Sequence, residues 1–198
     1  MSQPYRIEVL TGPAILPHLA GLARLRVEVF RDFPYLYDGS EDYERKYIAT
    51  YAAAPDALVV AAYVGDELVG AATALPLADE PEHVKAPVAA RGLDVARVFY
   101  CGESVLRQPY RGRGIGHAFF EAREAHARRL GRFERIGFCA VLRPADHPAR
   151  PADYRPLNAF WRRHGYQPVP GLTCTMSWRD IGDIAESAKP MQFWMKAL

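Results

Sequence analysis

Cysteine is scarce here: Cys101, Cys139 and Cys174 are the only three, and none stands in a CxxC pair. Each lies in an apolar, strand-like run, which predicts buried free thiols rather than disulfides or zinc ligands. The six histidines are scattered, with no HExxH and no His/Cys cluster, so no metal is expected. No apolar run reaches the length of a membrane span, and the first ten residues carry no signal-type stretch, so the expected location is cytoplasmic, away from the membrane. An excess of one charge is also missing: 25 Lys and Arg face 23 Asp and Glu. That balance gives no general case for nucleic acid or an anionic membrane as partner. There is no internal repeat and no low-complexity tail. What is present is a 49% hydrophobic chain of 198 residues, enough to build one domain over 1–198 around a real core.

Along the chain, residues 5–9 read as a first strand. Beyond Gly12 and Pro13, the spacing of Ile15, Leu19, Leu22, Leu25 and Val29 predicts a helix, with Pro17 in its first turn and Arg24, Arg26 and Glu28 on the other side. A turn-prone aromatic stretch at 32–40 precedes a helix from Glu41, capped by Ser40, with Tyr43, Tyr47, Ile48 and Tyr51 on one face. Runs at 58–64 and 67–75 flank Gly65 and Asp66, a hairpin signal. An insertion over 76–96 holds a short helix near 83–90, and a strand at 97–106 and a helix at 114–130 follow. Next come a strand at 135–142, a proline-rich connection, and a helix from Pro156 stopped by Gly165. Strands at 172–178 and 191–198 end the chain, the last free to pair within the sheet or with a second copy as a homodimer. This order predicts an α/β (α+β) domain with a mixed sheet and helices on both faces.

The basic residues gather locally, at Arg107, Arg111, Arg113, Arg123, Arg128 and Arg129, around Arg111-Gly112-Arg113-Gly114-Ile115-Gly116. In a glycine-rich turn that opens a helix, unpaired N–H groups converge, the helix dipole adds to them, and missing Cβ atoms let a pyrophosphate approach. The loop is not a P-loop, because no Lys follows Gly114 or Gly116. Nor is its Gly-x-Gly-x-Gly the dinucleotide fingerprint Gly-x-Gly-x-x-Gly. The pattern left is Arg-x-x-Gly-x-Gly between a strand and a helix.

That pattern resembles the acetyl-coenzyme A signature of the GNAT N-acetyltransferase superfamily. Leu157-Asn158-Ala159-Phe160-Trp161-Arg162-Arg163-His164-Gly165-Tyr166 is similar to the family's late helix, and the element order matches over most of the chain. The resemblance implies a GNAT fold, with a mostly antiparallel sheet of about seven strands and a splayed cofactor cleft. It implies acetyl-CoA as acyl donor, bound by Ser104, Val105 and Leu106 along the pantetheine and by Arg111 to Gly116 at the pyrophosphate, with Asn158 and Trp161 nearby. Glu103 stands at the family's position for a glutamate that takes the proton of the amine. By strand alternation it shares a face with Phe99, Cys101 and Val105, and an apolar setting would raise its pKa.

Many members protonate the leaving thiolate with a late-helix tyrosine, but Trp161 stands there in this chain. Tyr154 and Tyr166 are the nearby candidates for that acid, while a thiol with a pKa near 8.5 can also leave without one. Direct transfer leaves Cys101 and Cys139 only a minor claim as acyl carriers. For the acceptor, Tyr35, Tyr37, Asp38 and Tyr100 form an aromatic set with one carboxylate, suited to a cationic or aromatic amine, either a small molecule or a peptide. A noncatalytic acyl-CoA sensor stands as the alternative. A nucleic-acid partner is the weakest reading, since the basic residues flank one phosphate-sized loop.

Overall fold

The computed structural model describes residues 4–198. Seven strands form one sheet in the order β1-β2-β3-β4-β5-β7-β6. They are β1 (Tyr5–Leu10), β2 (Leu58–Val64), β3 (Glu67–Pro76), β4 (Val98–Leu106), β5 (Arg135–Val141), β6 (Gln167–Trp178) and β7 (Ser187–Ala197). Every neighbouring pair is antiparallel except β4 and β5. The last strand pairs inside the sheet, between β5 and β6.

Helices α1 (Leu19–Phe30), α2 (Glu41–Ala53) and α3 (Glu82–Ala90) cover one face, and α4 (Ile115–Leu130) and α5 (Asn158–Arg163) cover the other. Two cores result. Leu22, Leu25, Ile48, Tyr51, Val84 and Val88 pack against Val59, Tyr100 and Phe193 on the first face. Ile115, Phe119, Phe120 and Ala127 pack against Val60, Phe99, Ile136 and Tyr166 on the second. This double cover explains why β2 is apolar at every position: neither of its faces meets water. Each fully buried Leu, Ile or Phe contributes roughly 1.5–3 kcal/mol.

Several local expectations are corrected. The segment from Gly12 to His18 winds as a 3-10 turn with Pro17 inside it, and the α-helix starts only at Leu19, since proline cannot donate to an α-helical ladder. Arg26, expected on the polar side of the first helix, is buried, because position 26 lies one turn beyond Leu22 and faces the sheet. On α2, Tyr43 is 60% exposed and Glu44 takes the inward place beside Ile48 and Tyr51. The late helix is shorter than expected, running from Asn158, while both C-terminal strands are longer. Cys101, Cys139 and Cys174 are free and buried, as expected.

Candidate functional site

β4 and β5 pair only where Val98, Phe99 and Tyr100 lie opposite Arg135, Ile136 and Gly137. Beyond Tyr100 the strands part, while β4 keeps its ladder with β3 as far as Leu106 opposite Gly70. The Arg107 N–H bonds to the Val69 carbonyl at 3.0 Å. By antiparallel alternation, the backbone groups of Glu103 and Val105 therefore face β3, and those of Ser104 and Leu106 face the parting. The result is a row of strand groups open to an extended ligand, although the Leu106 carbonyl already accepts from Arg111 Nε at 3.1 Å.

This open edge runs into the glycine loop. Gly112 and Gly114 have φ of 77° and 89°, the left-handed region that residues with a Cβ rarely adopt, and Gly114 caps α4. The Ala118 N–H is the one that reaches back to the Gly114 carbonyl, so the amides of Ile115, Gly116 and His117 precede the ladder. They stand at the positive end of a 16-residue helix, a setting that fits a pyrophosphate without a metal. Arg111 and Arg113 are exposed on the loop, Arg113 lying over the Tyr110 ring and Arg111 reaching Asp32 at 3.5 Å. Arg107 is held by Glu28 and Glu67, which ties α1 and β3 to the root of the loop.

A bulge corrects the expected face of Glu103. Thr73 opposes Glu103 and Leu75 opposes Tyr100, so both Cys101 and Gly102 stand against the single residue between them, Ala74. The extra residue reverses the alternation. Phe99 and Cys101 belong to the α4 core, whereas Tyr100 and Val105 belong to the α1–α2 core, and Glu103 points to that side. Gly102 is required there, because a Cβ would run into the Tyr51 hydroxyl and lie 2.8 Å from Thr73 Oγ1. Glu103 is buried against Arg26, which also pairs with Glu44 and lies over the Tyr47 ring. Burial pushes the Glu103 pKa up, the Arg26 guanidinium pulls it back, and the net shift is upward. Burial opposes the charge on Arg26, but Glu103, Tyr47 and Glu44 more than offset it and raise its pKa.

Sequence reasoning missed Glu80. It closes the 3-10 turn Leu77–Asp79 that follows β3, is half-buried, and has no ion-pair or hydrogen-bond partner for its carboxylate among the described residues. Burial first, then the charges of Glu103 and Asp79, push its pKa up to about 7. Its field is also felt by Tyr47, Tyr51 and Tyr100, so it borders the same region as Glu103. An acidic residue in a loop gives no hint of this, because the fold alone brings the end of β3 beside β4.

The predicted acceptor residues divide. Tyr35 packs on Phe30 and Trp178, and its pKa is raised by burial and by Cys139 and Glu103, which sets its ring beside the Glu103 region. Tyr100 is buried, with its hydroxyl 2.8 Å from Cys139 Sγ. Tyr37 is half-buried, its pKa raised by burial and by Glu44. Asp38 is occupied by Arg179 at 2.6 Å and Arg31 at 3.6 Å. A hydrogen bond with Cys174, together with burial, raises the Cys139 pKa well above the usual thiol range, and burial raises that of Cys101.

The two tyrosines considered as acids lie apart. Tyr154 is half-buried on the proline-rich connection, edge-on to Phe33, with a pKa raised by burial. Tyr166 is fully buried on the α4 side and donates to Glu124 Oε1 at 3.2 Å. Trp161 packs between Phe138 and Trp194, and Asn158 is exposed at the start of α5. Among the described residues, no three His, Cys, Asp or Glu gather to hold a metal, and no helix is long and apolar enough to cross a membrane.

The model of the acetyltransferase (GNAT) family matches residues 22–166. Solved structures with the same fold include an acetyltransferase from Thermus thermophilus, 16% identical, covering 100% of both chains with a TM-score of 0.58. A ribosomal-protein-alanine N-acetyltransferase from Brucella melitensis is 14% identical, with 98% of this chain and 99% of that one covered and a TM-score of 0.63. An N-acetyltransferase from Staphylococcus aureus is 11% identical, covering 98% of each chain with a TM-score of 0.62. No curated protein matches the sequence.

Proposed function

Because the chain belongs to the acetyltransferase (GNAT) family, we propose that it is an N-acetyltransferase, moving an acetyl group from acetyl-CoA directly to a primary amine of a small molecule or peptide. One observation carries this reading: the unpaired edge of β4 leads through the short 3-10 turn Gln108–Tyr110 into a left-handed glycine loop at the N-terminus of α4. In this reading Ser104 offers backbone groups to the pantetheine, Val105 supports that strand from the core, and Leu106 contributes its free N–H. Residues 111–116 hold the pyrophosphate through amides and the helix dipole. Asn158 and Trp161 flank the pantetheine from α5.

An alkyl amine with a pKa near 10.4 arrives protonated and must lose a proton before it can attack. Glu80 and Glu103 supply carboxylates on the α1–α2 side of the bulge, and Glu80 is the better base because, among the described residues, no ion pair holds it as Arg26 holds Glu103, and the more distant charge of Lys85 only partly offsets its burial. Their excess of negative charge over Arg26 favours a cationic acceptor there, with Tyr35 and Tyr100 as its aromatic surroundings. Asp38, held by two arginines, has less to offer it. The raised pKa values of Cys101 and Cys139 make them poor acyl carriers and support direct transfer.

The test is thiol release from acetyl-CoA over a panel of amines. Amine-dependent release is expected. Tight coenzyme A binding without release over the whole panel would support a sensor instead and end the enzyme reading.

A further inference from the structure

The sheet separates charge. On the α1–α2 face, Glu44, Glu80 and Glu103 outnumber Arg26. On the opposite face Arg123, in the third turn of α4, is 2% exposed, and every acceptor it has among the described residues is neutral. Its Nε donates to the Phe119 carbonyl at 3.2 Å, its Nη1 donates to the Glu103 carbonyl at 3.0 Å, and its guanidinium lies over the Phe120 ring. No carboxylate among the described residues comes within ion-pair distance of it. The adjacent Glu124 is occupied elsewhere: Lys196 Nζ lies 2.6 Å from Oε1, Arg128 Nη2 lies 3.2 Å from Oε2, and the Tyr166 hydroxyl donates to Oε1. Its charge is also felt by Cys101 and Glu103 on β4 and by Tyr166 after α5. An unpaired guanidinium is thus buried under β4 at Glu103, three residues beyond the last pairing with β5 at Tyr100, and burying a cation without a counter-ion is costly.

We infer that Arg123 is the counter-charge for the thiolate that leaves during acyl transfer, standing in for the proton that a tyrosine at position 161 would give. The inference rests on the acetyl-CoA reading of the cleft. With the pyrophosphate at 111–116 and the pantetheine along Ser104 and Leu106, the thioester end of the cofactor arrives beside Glu103, whose carbonyl Arg123 already holds. As the amine lone pair forms the C–N bond, the C–S electron pair leaves on sulfur and the amine proton passes to a carboxylate on the other face. Arg123 transfers no proton. Its positive charge stabilises the sulfur anion until solvent protonates the released thiol.

Coenzyme A itself is the probe. The ultraviolet absorbance of its thiolate, followed against pH as a difference from the free protein, gives the thiol pKa in the complex. In the unaltered protein it should fall about one unit below that of free coenzyme A, a tenfold gain in thiolate. Arg123→Lys should keep most of the shift. Arg123→Gln, which keeps an amide donor near the place of Nε but no charge, should abolish it and lower kcat about tenfold with little change in the KM for acetyl-CoA. A bound thiol that titrates as in free coenzyme A overturns the inference from the unaltered protein alone, even if no variant folds. So does an unchanged shift in Arg123→Gln. Failure of coenzyme A to bind at all would instead bring down the reading of the cleft.

Discussion

Arg26 on α1 and Glu103 on β4 form an ion pair beneath the α1–α2 layer, their side chains 10% and 7% exposed, and Glu44 shares the same guanidinium. One cation therefore holds two buried carboxylates. The pair also pins α1 to β4 next to its bulge, just beyond the point where β4 and β5 part, so stability and site geometry depend on the same contact.

Arg26→Met should destabilise the protein by about 3–5 kcal/mol near neutral pH, since two buried carboxylates lose their partner. Without the guanidinium, burial raises the Glu103 pKa further. A carboxylate raised in the folded state favours folding at acid pH, and that advantage is lost as pH rises through the folded pKa. The deficit against the unaltered protein should accordingly shrink at pH about 5.5 and grow at pH about 8. Urea unfolding at both pH values checks this, and a pH-independent deficit would sink it.

Glu80 has a pKa pushed up to about 7, so the rate should fall below that pH as the base becomes protonated. Glu80→Gln should lower kcat and abolish this acidic limb. Glu103→Gln should also lower the rate while coenzyme A binding persists, and should move the limb to lower pH, because the charge of Glu103 helps raise that of Glu80. Since the folded pKa of Glu80 lies above its unfolded value, its carboxylate opposes folding as pH rises through about 7. Glu80→Gln should thus add about 2 kcal/mol of stability at pH 8, less than the full shift implies because water still reaches the group. A limb that survives Glu80→Gln unchanged would reject this carboxylate as the base.

Gly114→Ala forces a Cβ onto a residue at φ 89°, where it would lie 3.4 Å from the Tyr5 hydroxyl. A loss of about 1–2 kcal/mol is expected from the left-handed conformation alone. Coenzyme A affinity should fall more steeply than stability, as the amides of the loop turn away. Calorimetric titration alongside thermal unfolding separates the two, and unchanged affinity would argue against the loop as the pyrophosphate site.

Tyr166→Phe removes a buried hydroxyl that donates to Glu124. Burial raises its pKa far above neutrality, and the residue sits across the sheet from Glu103. Stability should drop by about 1 kcal/mol while kcat stays near that of the unaltered protein. A large loss of kcat in a well-folded variant would restore Tyr166 as the acid.

Much of the fold is legible in advance because local rules govern it. The hairpin at Gly65 and Asp66, the Ser40 cap and the left-handed glycine before α4 each depend on a few adjacent residues, and all are present. The face of Glu103 cannot be read this way. One extra residue in β4, set by how β3 pairs with it, reverses every side chain beyond the bulge. Arg26, Glu80 and Arg123 escape local reading for a similar reason: charged residues are usually exposed, and only packing shows which are not.

The sequence by itself determined the order of elements, the two helical layers and the glycine loop that opens α4, because periodicity, caps and left-handed turns act over a few residues. Only the tertiary structure decided which charges are buried, which carboxylate is paired and which is free, and on which face of the sheet each one lies. Those outcomes depend on residues far apart in the chain, Arg26 with Glu103 and Arg123 with the Glu103 carbonyl, that meet only when the sheet closes between its helices. In that dry interior a charge is governed by its neighbours instead of by water.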